Sequence, residues 1–165
     1  MIIETQRLLI RPLVEEDAIR FAQYRDKPEV SKYQSWHHYS LNDAKRRIHY
    51  CLKHPFDGRK GNTQLAITLK ENQMLIGDLH VEVMGSHYFS IGYTLDSPYW
   101  HQGYAREAVK GLIAYMRDVH SYTKCMAYIY TGNEKSRALL LALGFHKFDE
   151  SAFYDDEGYI LDLTR

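Results

Sequence analysis

The chain has 165 residues, with 21 basic and 21 acidic side chains, so its formal net charge is zero. A chain of this length suits one domain with a substantial core, and its 45% apolar share is typical of a soluble globular protein. Balanced charge argues against a general binder of nucleic acid or of membrane surfaces, because no global field attracts a polyanion. We therefore expect one domain over residues 1–165, with neither nucleic acid nor membrane as a partner.

Cysteine usage and apolar runs bear on where the protein works. Cys51 and Cys125 lie in apolar stretches and no CxxC pair occurs, which favours buried thiols in a reducing compartment over a secreted disulfide. No apolar run approaches the roughly 18 residues that indicate a membrane span. The first ten residues lack the basic and apolar segments of a secretory signal, so we expect a cytoplasmic protein.

Short strands and amphipathic helices follow one another along the chain. Ser40 with Asp43 forms a capping-box pattern, and Asn133 is a typical cap for the last helix. The first strand, at 7–13, meets Pro12 and is expected near a sheet edge. The predicted elements are a strand at 7–13, helices at 14–26 and 40–54, strands at 63–70, 74–83 and 87–95, a helix at 106–119, a strand at 124–131, a helix at 133–143, and strands at 146–154 and 159–165.

This order of elements predicts one α+β domain with a mixed sheet. The three strands between residues 63 and 95 are joined by short loops, which is typical of antiparallel hairpins. The strand–helix–strand segment at 87–131 predicts a right-handed parallel crossover. No repeat, low-complexity segment or linker divides the chain.

The junction at residues 99–108, YWHQGYAREA, carries more than a turn requires. A helix N-terminus leaves N–H groups unpaired and carries partial positive charge. Gly103 lets the entering loop curl so that these donors converge on an anion such as a phosphate, and Ala105 is small enough for a ligand to approach. The patterns GxxxxGK[ST] and GxGxxG are absent, so neither common nucleotide-binding loop is indicated. On spacing alone, a tight turn is the alternative.

Two linked segments resemble the GNAT acetyltransferase superfamily. The stretch WHQGYA at 100–105 is similar to the signature [Gln/Arg]-x-x-Gly-x-[Gly/Ala], with Trp at the first position, and NEKSRALLLALGF follows at the expected separation. The nearest branch resembles the ribosomal-protein N-terminal (alanine) acetyltransferases and their small-molecule relatives, which ETQRLLIRPL at 4–13 also matches. The resemblance implies the GNAT fold, a mixed sheet of about six to seven strands flanked by about four helices, with acetyl-CoA as the acetyl donor.

The resemblance also implies a donor site around this junction. The diphosphate would lie on the main-chain amides of residues 101–106, and the pantetheine arm would pair with the strand backbone around Tyr93 and Leu95. Asn133 matches the family residue that binds the arm, although a helix-capping role alone also explains it. Gln102 is equally compatible with a solvated loop residue. The implied donor-binding residues are Tyr93, Leu95, Trp100, His101, Gln102, Gly103, Tyr104, Ala105, Arg106 and Asn133.

Ser136 is the first candidate for protonating the departing thiolate. It lies one helical turn after Asn133, on the same face, and it matches a serine of the branch. Many relatives outside the branch carry a tyrosine later in this helix, at the position that Leu140 occupies here. A helix serine bonded to its own backbone is the alternative.

Candidates for the general base come from GDLHVEV. Strand alternation puts Asp78, His80 and Glu82 on one face of what is expected to be an inner strand. Such a polar row indicates a cavity, where Glu82 or His80 takes a proton from the amine directly or through water. A solvated face of an edge or splayed strand is the alternative. Related N-terminal acetyltransferases carry a glutamate at the position of Ser90, so the base and the acceptor stay open.

The acceptor is expected to enter near SKYQSWHHYSL at 31–41. Tyr33, Trp36 and His37 are the candidate contacts, because aromatic rings enclose cations and planar groups. The histidines have no ligand spacing with other His or Cys residues, so we expect no metal site. The alternative is an aromatic loop that caps the core or forms a dimer contact, and a homodimer also agrees with the resemblance.

The expected function is therefore N-acetylation, in which an acetyl group moves from acetyl-CoA to a primary amine by direct attack in a ternary complex. The acceptor is a peptide or protein N-terminal α-amine or a small-molecule amine. A peptide α-amine has a pKa of about 8 against about 10.4 for lysine, so a weak base favours α-amines or aminosugars. The alternatives are a catalytically silent acyl-CoA-binding sensor or interaction module and an unrelated nucleotide-phosphate enzyme.

Overall fold

The computed structural model describes residues 1–164, and within them it has eight strands and five α-helices. Two short 3-10 turns, Glu15–Asp17 and Ser97–Tyr99, precede the first helix and the long fourth helix. The elements are β1 (Ile3–Glu4), β2 (Leu8–Pro12), α1 (Ala18–Arg25), α2 (Pro28–Ser31), α3 (Leu41–Lys53), β3 (Asn62–Leu69), β4 (Leu75–Val83), β5 (Tyr88–Leu95), α4 (Tyr104–His120), β6 (Lys124–Tyr130), α5 (Glu134–Ala142), β7 (His146–Ser151) and β8 (Asp156–Asp162).

The strands form one mixed sheet in the order β1-β2-β3-β4-β5-β6-β8-β7. Neighbouring strands are antiparallel except for β5 and β6, which are parallel and joined through α4. The predicted α+β class, the hairpins from β3 to β5 and the parallel β5–β6 pair are therefore confirmed.

The predicted element counts were slightly too low. The eighth strand among residues 1–164 is β1, which spans only two residues and places β2 second from the sheet edge. The additional helix is α2, a single turn that begins with Pro28, between the helices predicted at 14–26 and 40–54. Elements this short carry no measurable hydrophobic period, so their sequence patterns do not distinguish them from loops.

Alternating side chains give the sheet a core on each face. On one face α4 and α5 pack against Leu65, Ile67, Phe89 and Ile91. On the other face α1 and α3 cover Ala66. Because β4 lies in the middle of the sheet and between both layers, its polar side chains are buried or half-buried and do not lie on an edge.

The sheet splits between β5 and β6. These strands pair only from Tyr88–Ile91 against Lys124–Ala127. Beyond that point β5 still pairs with β4 as far as Leu95, and β6 still pairs with β8 as far as Tyr130. Among residues 1–164, the β6-facing edge of residues 92–95 therefore has no strand partner, and a groove opens there.

Caps fix where the helices begin. Ser40 accepts a hydrogen bond from the N–H of Asp43 while the Asp43 carboxylate accepts from the N–H of Ser40, so the predicted capping box of α3 is confirmed. Asn133 caps α5 as predicted, since its side-chain oxygen accepts from the N–H of Ser136 at 3.3 Å. Both cysteines are free and buried.

Candidate active site

The loop that enters α4 has the geometry of an anion site. Gly103 immediately precedes the helix at φ 81°, and His101 two residues earlier has φ 62°. Both values lie in the left-handed region, which turns successive N–H groups toward one side of the chain. The first N–H groups of a helix have no intrahelical acceptor, and the 17-residue length of α4 gives its N-terminus a positive partial charge.

Three residues outside the predicted set hold this loop. Arg7 donates from Nη1 to the Gln102 carbonyl at 2.9 Å and from Nε to the Glu107 carboxylate at 2.7 Å. The same carboxylate accepts from the Arg7 main-chain N–H at 2.8 Å and from the Thr5 hydroxyl. Burial alone would raise the pKa of Glu107, but the hydrogen bonds from Thr5 and Arg7 lower it. The turn between β1 and β2 therefore fixes the start of α4.

Side chains of this loop donate hydrogen bonds to main-chain carbonyls at the end of β5 and just after it. The Trp100 indole donates to the Leu95 carbonyl at 2.9 Å, so this part of the open β5 edge is already paired. The Gln102 side chain donates to the Pro98 carbonyl at 2.9 Å and supports the turn. Tyr104 stacks under the Arg7 guanidinium, whose carbon lies 4.2 Å from the ring centroid. Free main-chain groups of β5 are thus left nearer to Tyr93 than to Leu95.

The first turn of α5 forms the opposite wall of the groove. Lys135 reaches across it, with Nζ 3.3 Å from His101 Nε2 and 4.3 Å from the centroid of the Trp100 ring. Ser136 is half-buried, and the Tyr93 hydroxyl lies 3.5 Å from its carbonyl oxygen. Burial raises the pKa of Tyr93 to about 12. The Tyr93 hydroxyl therefore reaches the turn of α5 that carries Ser136.

The other face of the sheet carries the predicted polar row, but its members differ in role. Asp78 is fully buried and accepts from Arg25 Nη1 at 2.8 Å, from Gln64 Nε2 at 2.5 Å and from the Tyr24 hydroxyl. With a second bond from Arg25 Nη1 at 2.9 Å, the carboxylate accepts four hydrogen bonds from this internal cluster. Asp78 therefore holds the sheet to α1 and offers nothing to a substrate.

His80 and Glu82 are half-buried and lie where the sheet splits. Pairing registers place His80 beside Gly92 and Glu82 beside Ser90. The pKa of His80 is lowered, first by burial and then by the nearby Arg47 guanidinium, while Glu82 acts in the opposite direction. His80 is therefore neutral near pH 7 and can accept a proton.

The three expected acceptor contacts differ in position. Tyr33 reaches the loop after β6, since a Cβ on Gly132 would lie 3.4 Å from its Cε1. Trp36 stacks on Arg25 at 3.8 Å and donates its indole N–H to the Arg25 carbonyl at 2.8 Å, so it supports the buried cluster. His37 is exposed, and its carbonyl accepts from the Ser31 hydroxyl at 3.3 Å. Of the three, Tyr33 borders the groove most directly.

Comparison with known proteins decides the family. A family model described as an acetyltransferase (GNAT) domain matches residues 7–146. The chain belongs to the GNAT acetyltransferase family. It is therefore an acyltransferase enzyme, and the matched segment contains every site residue that the sequence predicted.

Curated relatives of this GNAT enzyme carry the same general activity in their names. The uncharacterized N-acetyltransferase p20 of Bacillus licheniformis is 30% identical over 146 residues, which cover 87% of this chain and 81% of the relative. The uncharacterized N-acetyltransferase YoaA of Bacillus subtilis is 24% identical over 148 residues, covering 88% and 83%.

Solved structures support the fold of this GNAT enzyme. An acetyltransferase of the GNAT family from Bacillus anthracis superposes with a TM-score of 0.85 at 20% identity and covers 100% of both chains. The ribosomal-protein-S5-alanine acetyltransferase from Vibrio fischeri gives a TM-score of 0.83 at 22% identity, covering 99% of this chain and 97% of that one. At these identities the likeness shows the fold alone.

Two further properties of the GNAT chain concern metals and membranes. Within residues 1–164, no group of three or more His, Cys, Asp or Glu side chains is arranged to hold a metal ion. None of the helices in the described part of the chain is long and apolar enough to cross a bilayer.

Sequence reasoning missed the residues that act at long range in this GNAT domain. Arg7 and Glu107 are separated by 100 residues, and neither lies in a local pattern that indicates the other. The one signal was the match of residues 4–13 to the family branch, which includes Arg7 but not Glu107 and gave Arg7 no role. The two other missed residues are Thr5 at the loop and Lys135 at the groove.

Proposed function

We propose that this acetyltransferase moves the acetyl group of acetyl-CoA to a primary amine by direct attack while both substrates are bound. The observation that carries the proposal is the meeting of two features in one groove. The N-terminus of α4 with its left-handed Gly103 lies at one end, and the unpaired edge of β5 runs from it to the split in the sheet. A diphosphate and an extended amide-bearing arm need these two features in this order.

The donor fits the chemistry of this groove. The free N–H groups at residues 103–106 suit the diphosphate, because helix N-termini bind anions through main-chain donors. Strand-like hydrogen bonds from the open edge near Tyr93 suit the amides of the pantetheine arm. When bound, acetyl-CoA supplies an activated thioester carbonyl. Such an arm directs its end toward Gly92, where the sheet splits and the polar face begins.

Side chains of the protein then accept the proton of the amine and donate to the departing sulfur. The attacking amine must be neutral, and His80 is neutral near pH 7 and half-buried beside Gly92, so it is our first choice for the base. Glu82 lies two residues further along β4, on the same face, and is our second choice for the base. Ser136, on the far wall of the groove, is our candidate donor to the departing sulfur.

The acceptor class is proposed at the level of a primary amine. An α-amine with a pKa of about 8 needs less help from a base than a lysine with about 10.4, which agrees with a single histidine as base. Proteins of the same fold include the ribosomal-protein-S5-alanine acetyltransferase above and a protein described as a nucleotide-linked sugar GNAT, FdhC, with a TM-score of 0.82 at 16% identity. Both a peptide N-terminus and an aminosugar therefore belong in the first screen.

A catalytically silent acyl-CoA sensor is the second candidate function. It is favoured by two departures from the family pattern, the serine at position 90 and the leucine at position 140. The pocket of a sensor keeps donor binding but needs neither a neutral histidine beside the split nor a hydroxyl on the groove wall. The presence of both groups favours the enzyme.

The deciding experiment combines a binding measurement with a turnover screen. Acetyl-CoA at about 100 times its Kd should stabilise the protein by about 2.7 kcal/mol, whereas ATP and NAD should not. Released thiol is then followed with α-amino peptides, aminosugars, aminoglycosides, polyamines and amino acids. Turnover with one class identifies the acceptor, stabilisation without any turnover supports the sensor, and stabilisation by ATP or NAD alone contradicts both.

A further inference from the structure

The proposed pairing of the acetyl-CoA arm with β5 uses only main-chain groups, so it gives no role to the side chain of Tyr93. Tyr93 is the second residue of β5 beyond its paired segment, so it lies on the open edge of the groove. Strand alternation puts its side chain on the same face as Ile91 and Leu95, which is the face covered by α4 and α5. Its ring is therefore part of the groove floor.

The Tyr93 hydroxyl is directed at one particular turn of α5. Its oxygen lies 3.5 Å from the carbonyl oxygen of Ser136, the group that in an α-helix accepts from the N–H of residue 140. A hydrogen bond of this length is weak, so the hydroxyl can turn to a better acceptor at little cost. Leu140 is fully buried and has no hydroxyl, so the turn itself contributes only Ser136.

Cleavage of the thioester builds up negative charge on sulfur, and this charge needs a hydrogen-bond donor at this end of the groove. The amine nitrogen forms the new C–N bond, the C–S bond breaks, and its electron pair goes to sulfur. A fixed hydrogen-bond donor near that sulfur stabilises the developing negative charge, as donors do at other sites of charge build-up. The groove wall beside the open edge offers two hydroxyls for this purpose, one from Ser136 and one from Tyr93.

We propose that the Tyr93 hydroxyl donates a hydrogen bond to the departing sulfur, from the strand side of the groove and opposite Ser136. This inference rests on the proposed use of acetyl-CoA. In the balanced step, His80 takes the proton of the attacking amine, and Tyr93 keeps its own proton while sharing it with sulfur. Ser136 passes its proton to the sulfur to complete the free thiol and regains one from water.

The ionisation of Tyr93 agrees with a donor that does not transfer its proton. Burial raises its pKa to about 12, so the phenol stays protonated over the whole pH range from 5 to about 9. A free thiol has a pKa of about 8.5, and full proton transfer from the phenol to that thiolate would be unfavourable. A hydrogen bond to the charged form instead lowers the pKa of the thiol.

The test is Tyr93→Phe, with Tyr88→Phe as the matched control. Tyr88 is on the same strand, is exposed, and lies in the part of β5 that pairs with β6, so it is outside the groove. The readout is the pKa of the thiol of bound free CoA, followed by the ultraviolet absorbance of its thiolate. This measurement requires neither an acceptor nor turnover.

We expect Tyr93→Phe to raise the pKa of the bound thiol by about one unit or more, which corresponds to about 1.4 kcal/mol, because the thiolate loses a hydrogen bond that stabilises its charge. With an active acceptor, kcat should fall about tenfold to a hundredfold, with the Kd of CoA changed less than about threefold. Tyr88→Phe should leave thiol pKa, kcat and Kd at wild-type values.

The outcomes separate this inference from the proposed function. If CoA does not bind the wild-type protein, the proposed function fails. If CoA binds and Tyr93→Phe leaves the thiol pKa and kcat unchanged, the role of Tyr93 is overturned while the proposed function stands. Loss of CoA affinity with an unchanged thiol pKa also overturns it, because Tyr93 would then only line the groove.

Discussion

Gly103 and Gly61 share one backbone conformation but face different surroundings. Their φ angles are 81° and 77°, in the region that favours glycine. A Cβ at position 61 would have no atom within 4 Å, whereas a Cβ at position 103 would lie 3.3 Å from Arg7 Nη2, in the loop proposed to bind the diphosphate. Substituting each glycine therefore distinguishes the cost of backbone strain, which both positions share, from obstruction of a ligand, which concerns Gly103 alone.

We expect Gly103→Ala and Gly61→Ala to lose similar stability, about 1–2 kcal/mol each, from the left-handed conformation. Only Gly103→Ala should weaken CoA binding, by about tenfold or more, which corresponds to about 1.4 kcal/mol. Calorimetric titration with CoA and urea unfolding measure the two effects. Equal CoA affinity in both variants would remove the α4 loop from the donor site.

In the proposed mechanism, the lowered pKa of His80 gives the reaction a defined pH dependence. Protonation would block His80 as the proposed base, so kcat/KM should carry an acidic limb with its midpoint below the ordinary value of 6.5, in addition to the limb of the acceptor amine. Glu82 opposes the lowering, since its charge raises the pKa of His80.

Glu82→Gln should therefore move this acidic limb to still lower pH and keep most of the rate at pH 7. His80→Gln should abolish the limb and reduce kcat by about a hundredfold or more, since a base contributes about 10²–10⁴-fold. Profiles of kcat/KM from pH 5 to pH 9 measure both effects. The opposite result, with Glu82→Gln inactive and His80→Gln active, would make Glu82 the base.

At the level of elements, Asn133 has one demonstrated role and one proposed role. Its side-chain oxygen caps α5 by accepting from the N–H of Ser136. The proposed role is an amide contact to the pantetheine arm. Serine keeps the capping function of asparagine but not its amide, and alanine keeps neither. Asn133→Ser and Asn133→Ala therefore separate the two roles.

We expect Asn133→Ala to cost about 1 kcal/mol of stability and Asn133→Ser much less. If the amide also contacts the donor, both variants should lose CoA affinity by a similar factor. Thermal unfolding without ligand reports the cap, and the Kd of CoA reports the contact. Wild-type affinity in Asn133→Ser would leave Asn133 as a cap only.

Elements with a local signal were predictable, and elements that depend on distant partners were not. The capping box at Ser40 and the amphipathic period of α4 lie within a few residues of chain, so the sequence is enough to predict them. The pairing of Arg7 with Glu107 depends on where β2 and α4 meet in space. No local pattern encodes that distance, and the divergence of β5 from β6 is hidden for the same reason.

At the scale of the molecule, the groove exists because β5 pairs with β6 over only part of its length. All seven residues of β6 pair with β8, while four residues of β5 pair with β6. The sheet therefore consists of two parts that are joined at one end and open at the other. The layer of α1 and α3 covers the first part, and its attachment to β4 must be firm if His80 is to keep its place.

The cluster around Asp78 provides that attachment. Asp78 is 0% exposed and Arg25 is 7% exposed, and the two are joined at 2.8 Å between α1 and β4. Trp36 and Tyr39 stack on the Arg25 guanidinium at 3.8 and 4.6 Å. This packing shields the ion pair from water, so neither charge is compensated by solvent if its partner is removed.

We expect Asp78→Ala to destabilise the protein by about 3–5 kcal/mol, because it leaves the Arg25 guanidinium buried without its partner. The double variant Arg25→Met with Asp78→Leu should cost less than Asp78→Ala alone, since it leaves neither member of this buried ion pair. Asp118→Ala, which breaks the exposed pair with Arg117, serves as the control and should leave stability unchanged. Urea unfolding of the four proteins measures these differences, and a loss in Asp78→Ala no larger than in Asp118→Ala would contradict the role of the cluster.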